Sequence, residues 1–297
     1  MNRFLTTIAM VMTLAIAQGC TQLSTPQKDS TVTTTTQPHS DHTDHAVAAT
    51  SHTHDSHPES HRHSLNTTQA TLTTFGRIYS NIPASLQIDV QDNRKNPVTK
   101  FDRFQEQIMH LIAVSDDLQT FQHLHPTYKG NGRFEVQAQF PQSGNYTLFS
   151  DYQPTGQAEQ VSVLKTTVDG TPSSVSPINW SRTKTFDQTI VSFAPTKTPV
   201  KAGENVILRF NLQDATTQQA IADLQPYLGE KGHLVILRQS PTLTREDYIH
   251  AHAVPNTPAS QIHFATRFPQ PGNYKIWGQF NRDGEIVTAD YGVEVVR

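Results

Sequence analysis

Two distant stretches of this chain repeat one alternation of apolar and polar positions. In the first, Phe134, Val136, Ala138 and Phe140 share one side while Glu135, Gln137 and Gln139 share the other, which is the period of a half-buried β-strand. In the second, Ile262, Phe264 and Phe268 fall on the matching side. Both run into one turn sequence, Phe140-Pro141-Gln142-Ser143-Gly144-Asn145-Tyr146 and Phe268-Pro269-Gln270-Pro271-Gly272-Asn273-Tyr274. Proline stops the hydrogen-bond ladder, glycine accepts the positive φ of the turn, and tyrosine opens the next strand. Residues 85–91, residues 108–115 and the run marked by Val161, Val163 and Val168 predict further strands in the first copy. The strand that starts at Tyr146 is apolar on both sides near its middle, at Leu148 and Phe149.

An internal repeat sets the architecture before any single motif does. Turn signals at this spacing predict about seven strands per copy, as in a β-sandwich. The shared turn resembles the tyrosine corner of immunoglobulin-like sandwiches, whose hydroxyl bonds back to the preceding loop. No segment keeps a helical period over three turns; residues 223–229 are expected to form one short helical turn closed by Gly229. The fold class is therefore all-β, with two tandem immunoglobulin-like sandwiches at residues 71–170 and 183–297. A linker rich in Thr, Ser, Pro and Asn joins them at 171–182, and Trp180 is expected to pin it to a module.

The N-terminal part follows other rules. Arg3 is the only charge before a short apolar run that ends at Ala17-Gln18-Gly19-Cys20. The run has the layout of an export signal at residues 1–19 and is too short for a membrane-spanning helix. The residues before Cys20 resemble a bacterial lipobox, so Cys20 is the expected lipidation site and a membrane the first partner. Residues 20–70 hold almost no large apolar side chain and are expected to form a disordered, His-rich tether. Eight of the fifteen histidines lie there: His39, His42, His45, His52, His54, His57, His61 and His63. Their irregular spacing builds no fixed geometry and predicts weak binding of several divalent ions.

Composition narrows the chemistry. Cys20 is the only cysteine, which rules out an intramolecular disulfide, a blue-copper centre and a Cys-ligated iron–sulfur cluster. The formal charge is −3, so a basic face for nucleic acid is not expected. There is no Gly-x-Ser-x-Gly, no His-Glu-x-x-His and no phosphate loop, and the chain is not expected to be an enzyme.

The remaining histidines carry the repeat further. Each copy places one histidine at the head of an apolar strand, His110 before Leu111-Ile112-Ala113-Val114 and His233 before Leu234-Val235-Ile236-Leu237. A turn follows in each, with Asp116 and Asp117 expected to form the first, and then a His-x-His: His123 with His125, and His250 with His252. Residues i and i+2 of a strand share a face. An antiparallel hairpin centred on the turn sets His110 opposite His125 and Ile112 opposite His123, and likewise His233 opposite His252 and Val235 opposite His250. Opposed Cβ atoms about 5 Å apart let three imidazoles converge on one ion at about 2 Å. The expectation is one three-histidine site per copy, for divalent copper or zinc. Met109 falls on the other strand face and His263 outside the repeated set.

Met109-His110-Leu111-Ile112, Asp116-Asp117-Leu118, Phe121-Gln122-His123-Leu124-His125-Pro126 and, later, Gly232-His233-Leu234-Val235-Ile236 and Tyr274-Lys275-Ile276-Trp277-Gly278-Gln279-Phe280 resemble a family of exported two-module bacterial lipoproteins. The likeness spans residues 72–297, and members stand near heavy-metal and copper-resistance functions. It implies an immunoglobulin- or cupredoxin-like sandwich and an envelope location, and it suggests metal handling. The functional expectation is a membrane-anchored envelope protein that buffers or delivers copper or zinc, with an envelope protein or metal transporter as partner. The alternative is a tandem interaction module whose histidines only pack.

Overall fold

The computed structural model describes residues 67–171 and 177–297. Cys20 and the eight histidines of the predicted tail lie outside the described residues. Ten strands form the first module: β1 (Thr68–Thr74), β2 (Ile78–Tyr79), β3 (Pro83–Asp92), β4 (Phe101–Asp102), β5 (Met109–Ser115), β6 (Phe121–Leu124), β7 (Thr127–Gly130), β8 (Arg133–Gln139), β9 (Gly144–Pro154) and β10 (Gln160–Asp169). Nine form the second: β11 (Thr183–Phe186), β12 (Thr189–Pro195), β13 (Val200–Lys201), β14 (Asn205–Asp214), β15 (His233–Arg238), β16 (Tyr248–His252), β17 (Gln261–Arg267), β18 (Gly272–Arg282) and β19 (Glu285–Val296). The excess over seven comes from short edge pieces such as β2, β4 and β13, which carry too few residues to show a period. β1 begins at Thr68, within the stretch predicted to be tether.

Each module is two sheets. The first pairs β1-β3-β8-β7 with β2-β10-β9-β5-β6, the second β11-β12-β14-β17 with β13-β19-β18-β15-β16. The repeat seen in sequence is thus a repeat of topology: β5-β6-β9-β10-β2 of one copy stand as β15-β16-β18-β19-β13 of the other. β2 and β13 each run parallel to their neighbour, β10 and β19.

Both tyrosine corners form. Tyr146 Oη donates to Gln142 O at 2.9 Å and Tyr274 Oη to Gln270 O at 2.8 Å. Gly144 and Gly272 ahead of them hold φ of +133° and +140°, which explains the glycine at that position. Ser115 and the Asp116-Asp117 turn close the first hairpin, with Asp117 Oδ1 accepting from the Gln119 N–H. Residues 223–229 do not form the expected helical turn. Gln225 bridges to Asn281 and Tyr227 to Glu230, so the tertiary contact with β18 overrides the local tendency. Trp180 and Ile178 cover Gly292, where a Cβ would meet the indole at 2.7 Å.

Among the described residues three apolar clusters result, not two. Each sandwich has its own core: Leu86, Ile88, Phe134, Leu148 and Tyr152 among others in the first, Phe193, Phe210, Phe264, Phe280 and Tyr291 in the second. A third cluster joins Ile112, Val114, Phe149 and Val161 of the first module to Val235, Leu237, Tyr248 and Trp277 of the second. The β5/β9 and β15/β18 sheets therefore bury both faces. That is why β5 is buried at every position and why β9 is apolar on both sides. At the seam Phe121 stacks on Trp277 (centroids 5.0 Å) and Tyr248 on Phe149 (4.7 Å). The two stacks are equivalent by register and reciprocal, as in an isologous dimer interface built within one chain.

Candidate metal centre at the seam between the modules

The hairpins take the register read from the sequence. Ile112 pairs with His123, and Val235 with His250. His110, His123 and His125 therefore lie on one face of β5/β6, and that face is the one turned to the seam. His233 and His250 face it from the other module. Ring centroids of His123 and His233 are 4.4 Å apart, and those of His110 and His250 5.8 Å. The two copies do not keep separate sites; their histidines meet.

The first triplet is closed. One ligand nitrogen from each of His110, His123 and His125 lies within 4.8 Å of the others. Tetrahedral coordination at about 2.1 Å would draw such nitrogens to about 3.4 Å, an adjustment of ring rotation. The second triplet does not close in this way. His233 Nε2 contacts His250 Nε2 at 2.5 Å and Gln105 Oε1 at 2.8 Å. His252 is exposed, its Nδ1 2.5 Å from Gln105 Nε2. His250 instead joins Asp151 and Glu159 of the first module in a second close group.

Hydrogen bonds assign the tautomers of the first group. Gln279 Nε2 donates to Thr288 Oγ1, which turns its carbonyl oxygen to His123. His123 Nδ1–H donates to that oxygen at 2.8 Å. His110 Nε2–H donates to Phe104 O at 3.2 Å. The opposite nitrogens, His110 Nδ1 and His123 Nε2, are then both lone pairs, and they face each other at 2.9 Å. His125 Nε2 and His233 Nδ1 are buried without a hydrogen-bond partner. Buried polar atoms left unpaired cost about 1–3 kcal/mol each, so they point to a missing ligand.

Burial also sets the charges. It holds His110 at about 3 and His250 at about 4, and pushes His123 and His233 well below the ordinary imidazole value; neighbouring histidines add to this for His110, His123 and His233. His125 is lowered by burial as well. The imidazoles are thus neutral at physiological pH, the form that binds metal. Opposite them, burial raises Asp151 to about 6, and burial with the charge of Asp151 raises Glu159 to about 7. Asp151 is fully buried; its Oδ2 accepts from Tyr248 Oη at 3.2 Å and lies 3.1 Å from His250 Nδ1.

Sequence reasoning missed Asp151, Glu159, Gln105 and Gln279. No spacing motif marks them. The one available signal was Asp151 itself, a carboxylate on a strand apolar on both sides.

Fold and seam together define a tandem β-sandwich protein with a histidine-lined junction between its modules. The chain belongs to the family described as Domain of unknown function (DUF8832), which matches residues 63–169 and 184–297. No curated protein matches the sequence. Among solved structures it is similar to the D00-D0 domain of intimin, at 13% identity and a TM-score of 0.22 over 77% of this chain and 100% of that one. It is similar also to invasin, a bacterial integrin-binding protein, at 10% identity and a TM-score of 0.22 over 76% of this chain and 39% of that one. Trypsin-activated alpha-2-macroglobulin from Escherichia coli shows 10% identity and a TM-score of 0.24 over 77% of this chain and 16% of that one. At these TM-scores the likenesses carry no argument of their own. The sandwich architecture rests on the order and pairing of the sheets. Among the described residues no helix is long and apolar enough to cross a membrane.

Proposed function

We propose that the protein binds a divalent copper or zinc ion at the seam, through His110, His123 and His125, with the second module closing over it. One observation carries this reading: two imidazole lone pairs face each other at 2.9 Å. Each ring has its other nitrogen committed to a carbonyl oxygen, so neither has a proton to offer. A cation between them removes the repulsion, and burial makes a proton a poor choice of cation. Imidazole donors suit Zn²⁺ and Cu²⁺. Copper(I) would call for a thioether, and Met109 lies in the core of the first module with Ser150 Oγ donating to its sulfur.

A purely packing role for the histidines fits less well. Packed histidines satisfy their nitrogens, whereas His125 Nε2 and His233 Nδ1 are left without partners.

The protein acts at the cell envelope. A lipid on Cys20 holds it to a membrane, the histidines of residues 39–63 gather ions weakly, and the seam retains one tightly. Its role is buffering or handing over metal to an envelope protein or transporter, not catalysis. The test is a Zn²⁺ and Cu²⁺ titration of a full-length variant whose eight tail histidines are replaced by asparagine. A tight ion at these three histidines is expected, and His123→Ala with His125→Ala should weaken that ion on the order of 100-fold. Unchanged binding in that double variant would overturn the reading.

A further inference from the structure

We propose that Asp151, Glu159 and His250 form a second cation site across the seam, of mixed carboxylate–imidazole class, for a divalent ion such as Mn²⁺, Fe²⁺ or Zn²⁺. It shares no residue with the three-nitrogen site and stands without it. One donor atom from each of the three residues lies within 4.8 Å of the others. Asp151 and Glu159 come from β9 and the turn before β10, and His250 from β16 of the other module. The site therefore exists only when the modules are joined.

A second observation points to the ligand. Asp151 has no solvent exposure, and its Oδ1 meets no donor except the carboxyl of Glu159, which can bond to Asp151 only while it keeps a proton. Once that proton is lost, two carboxylates face each other in a buried site, which is costly. The conflict also shows in proton affinity, since burial first and then the neighbouring carboxylate hold Glu159 far above its usual range. A divalent cation removes that cost, because it is attracted to each carboxylate and takes the place of the shared proton. Glu159 is only half-buried and gives the ion a way in from solvent.

In the metal-free protein His250 Nδ1 lies 3.1 Å from Asp151 Oδ2, as a hydrogen bond. On binding, the single ring proton of His250 moves through solvent from Nδ1 to Nε2, a change of tautomer with no net release, and the Nδ1 lone pair turns to the ion. Carboxylate donors favour Mn²⁺, while imidazole-only tracts bind it more weakly than any other ion of the first-row divalent series. The tail also carries Asp41, Asp44, Asp55 and Glu59, so its share of Mn²⁺ binding is read from the Glu159→Gln and Asp151→Asn chains, which keep the tail unchanged.

The experiment is a titration of Mn²⁺ into the full-length protein, following the free-ion electron paramagnetic resonance signal and the melting temperature. One Mn²⁺ per chain and a raised melting temperature are expected in the wild type, and equally in His123→Ala with His125→Ala. Glu159→Gln and Asp151→Asn, both isosteric, should each weaken Mn²⁺ by at least about 10-fold. Mn²⁺ left free by the wild type would overturn the proposal and leave a proton-sharing carboxyl pair. So would binding that does not raise the melting temperature, since it lies outside the fold, or binding equally tight in both isosteric variants. Loss of Cu²⁺ or Zn²⁺ in the histidine double variant reports on the other site alone.

Discussion

The two halves of the seam are copies of one arrangement with one decisive difference. In one half His123 of the first module reaches Gln279 of the second; in the other, His250 of the second reaches Asp151 of the first. Gln279 and Asp151 are equivalent by register, since Gln279 pairs with His233 and Asp151 with His110. The aromatic stacks beside them are equivalent too. A neutral amide in one half leaves a nitrogen-only group of His110, His123 and His125. A carboxylate in the other recruits Glu159 and makes a mixed group. One position on a shared scaffold sets the donor chemistry, while the repeated strands and turns set where the donors stand.

The largest effects should come from breaking the scaffold common to both halves. Trp277→Ala and Phe149→Ala each empty one seam stack and should each cost about 3–5 kcal/mol of stability, measured by chemical unfolding. If one loses far more than the other, the halves are not energetically equivalent.

A smaller effect follows from exchanging the decisive residue. Gln279→Glu gives His123 a carboxylate to donate to and raises the basicity of its other nitrogen. Zn²⁺ affinity should rise on the order of 10-fold by calorimetric titration. No gain would show that Gln279 only positions the ring.

A further effect, of another kind, is on acid stability. Five seam histidines have depressed proton affinity, so the unfolded chain takes up protons from about pH 6.5 downward while the folded chain resists. That lowers stability as pH falls. Asp151 and Glu159, raised to about 6 and 7, act in the opposite sense, because the folded state then binds more protons than the unfolded one. Histidines outnumber these carboxyls, so the metal-free melting temperature should fall between about pH 6 and pH 4. Asp151→Asn removes one opposing group and should steepen that fall.

Much of this was legible in the sequence for a physical reason: it was local. The period-2 alternation gave β8 and β17, the proline and glycine turns gave both tyrosine corners, and hairpin symmetry gave the pairing of Ile112 with His123 and Val235 with His250. The seam was not legible. Continuous apolar runs at Leu111–Val114 and around Phe149 say that a strand is covered on both faces, but not by what. Asp151 and Glu159 lie eight positions apart in the chain and far from His250, and only the packing of one module on the other brings them together. The failed helical turn at residues 223–229 has the same origin, a pairing with Asn281 that no local pattern announces.

The central claim is that histidines of one hairpin hold an ion at the junction of the two modules. The most direct test is an anomalous difference map at the zinc absorption edge from crystals of the zinc-loaded protein. The account predicts a peak about 2.1 Å from ring nitrogens of His110, His123 and His125, at the seam and within reach of the second module. A map with no peak there, from crystals shown by fluorescence to contain zinc, would contradict it.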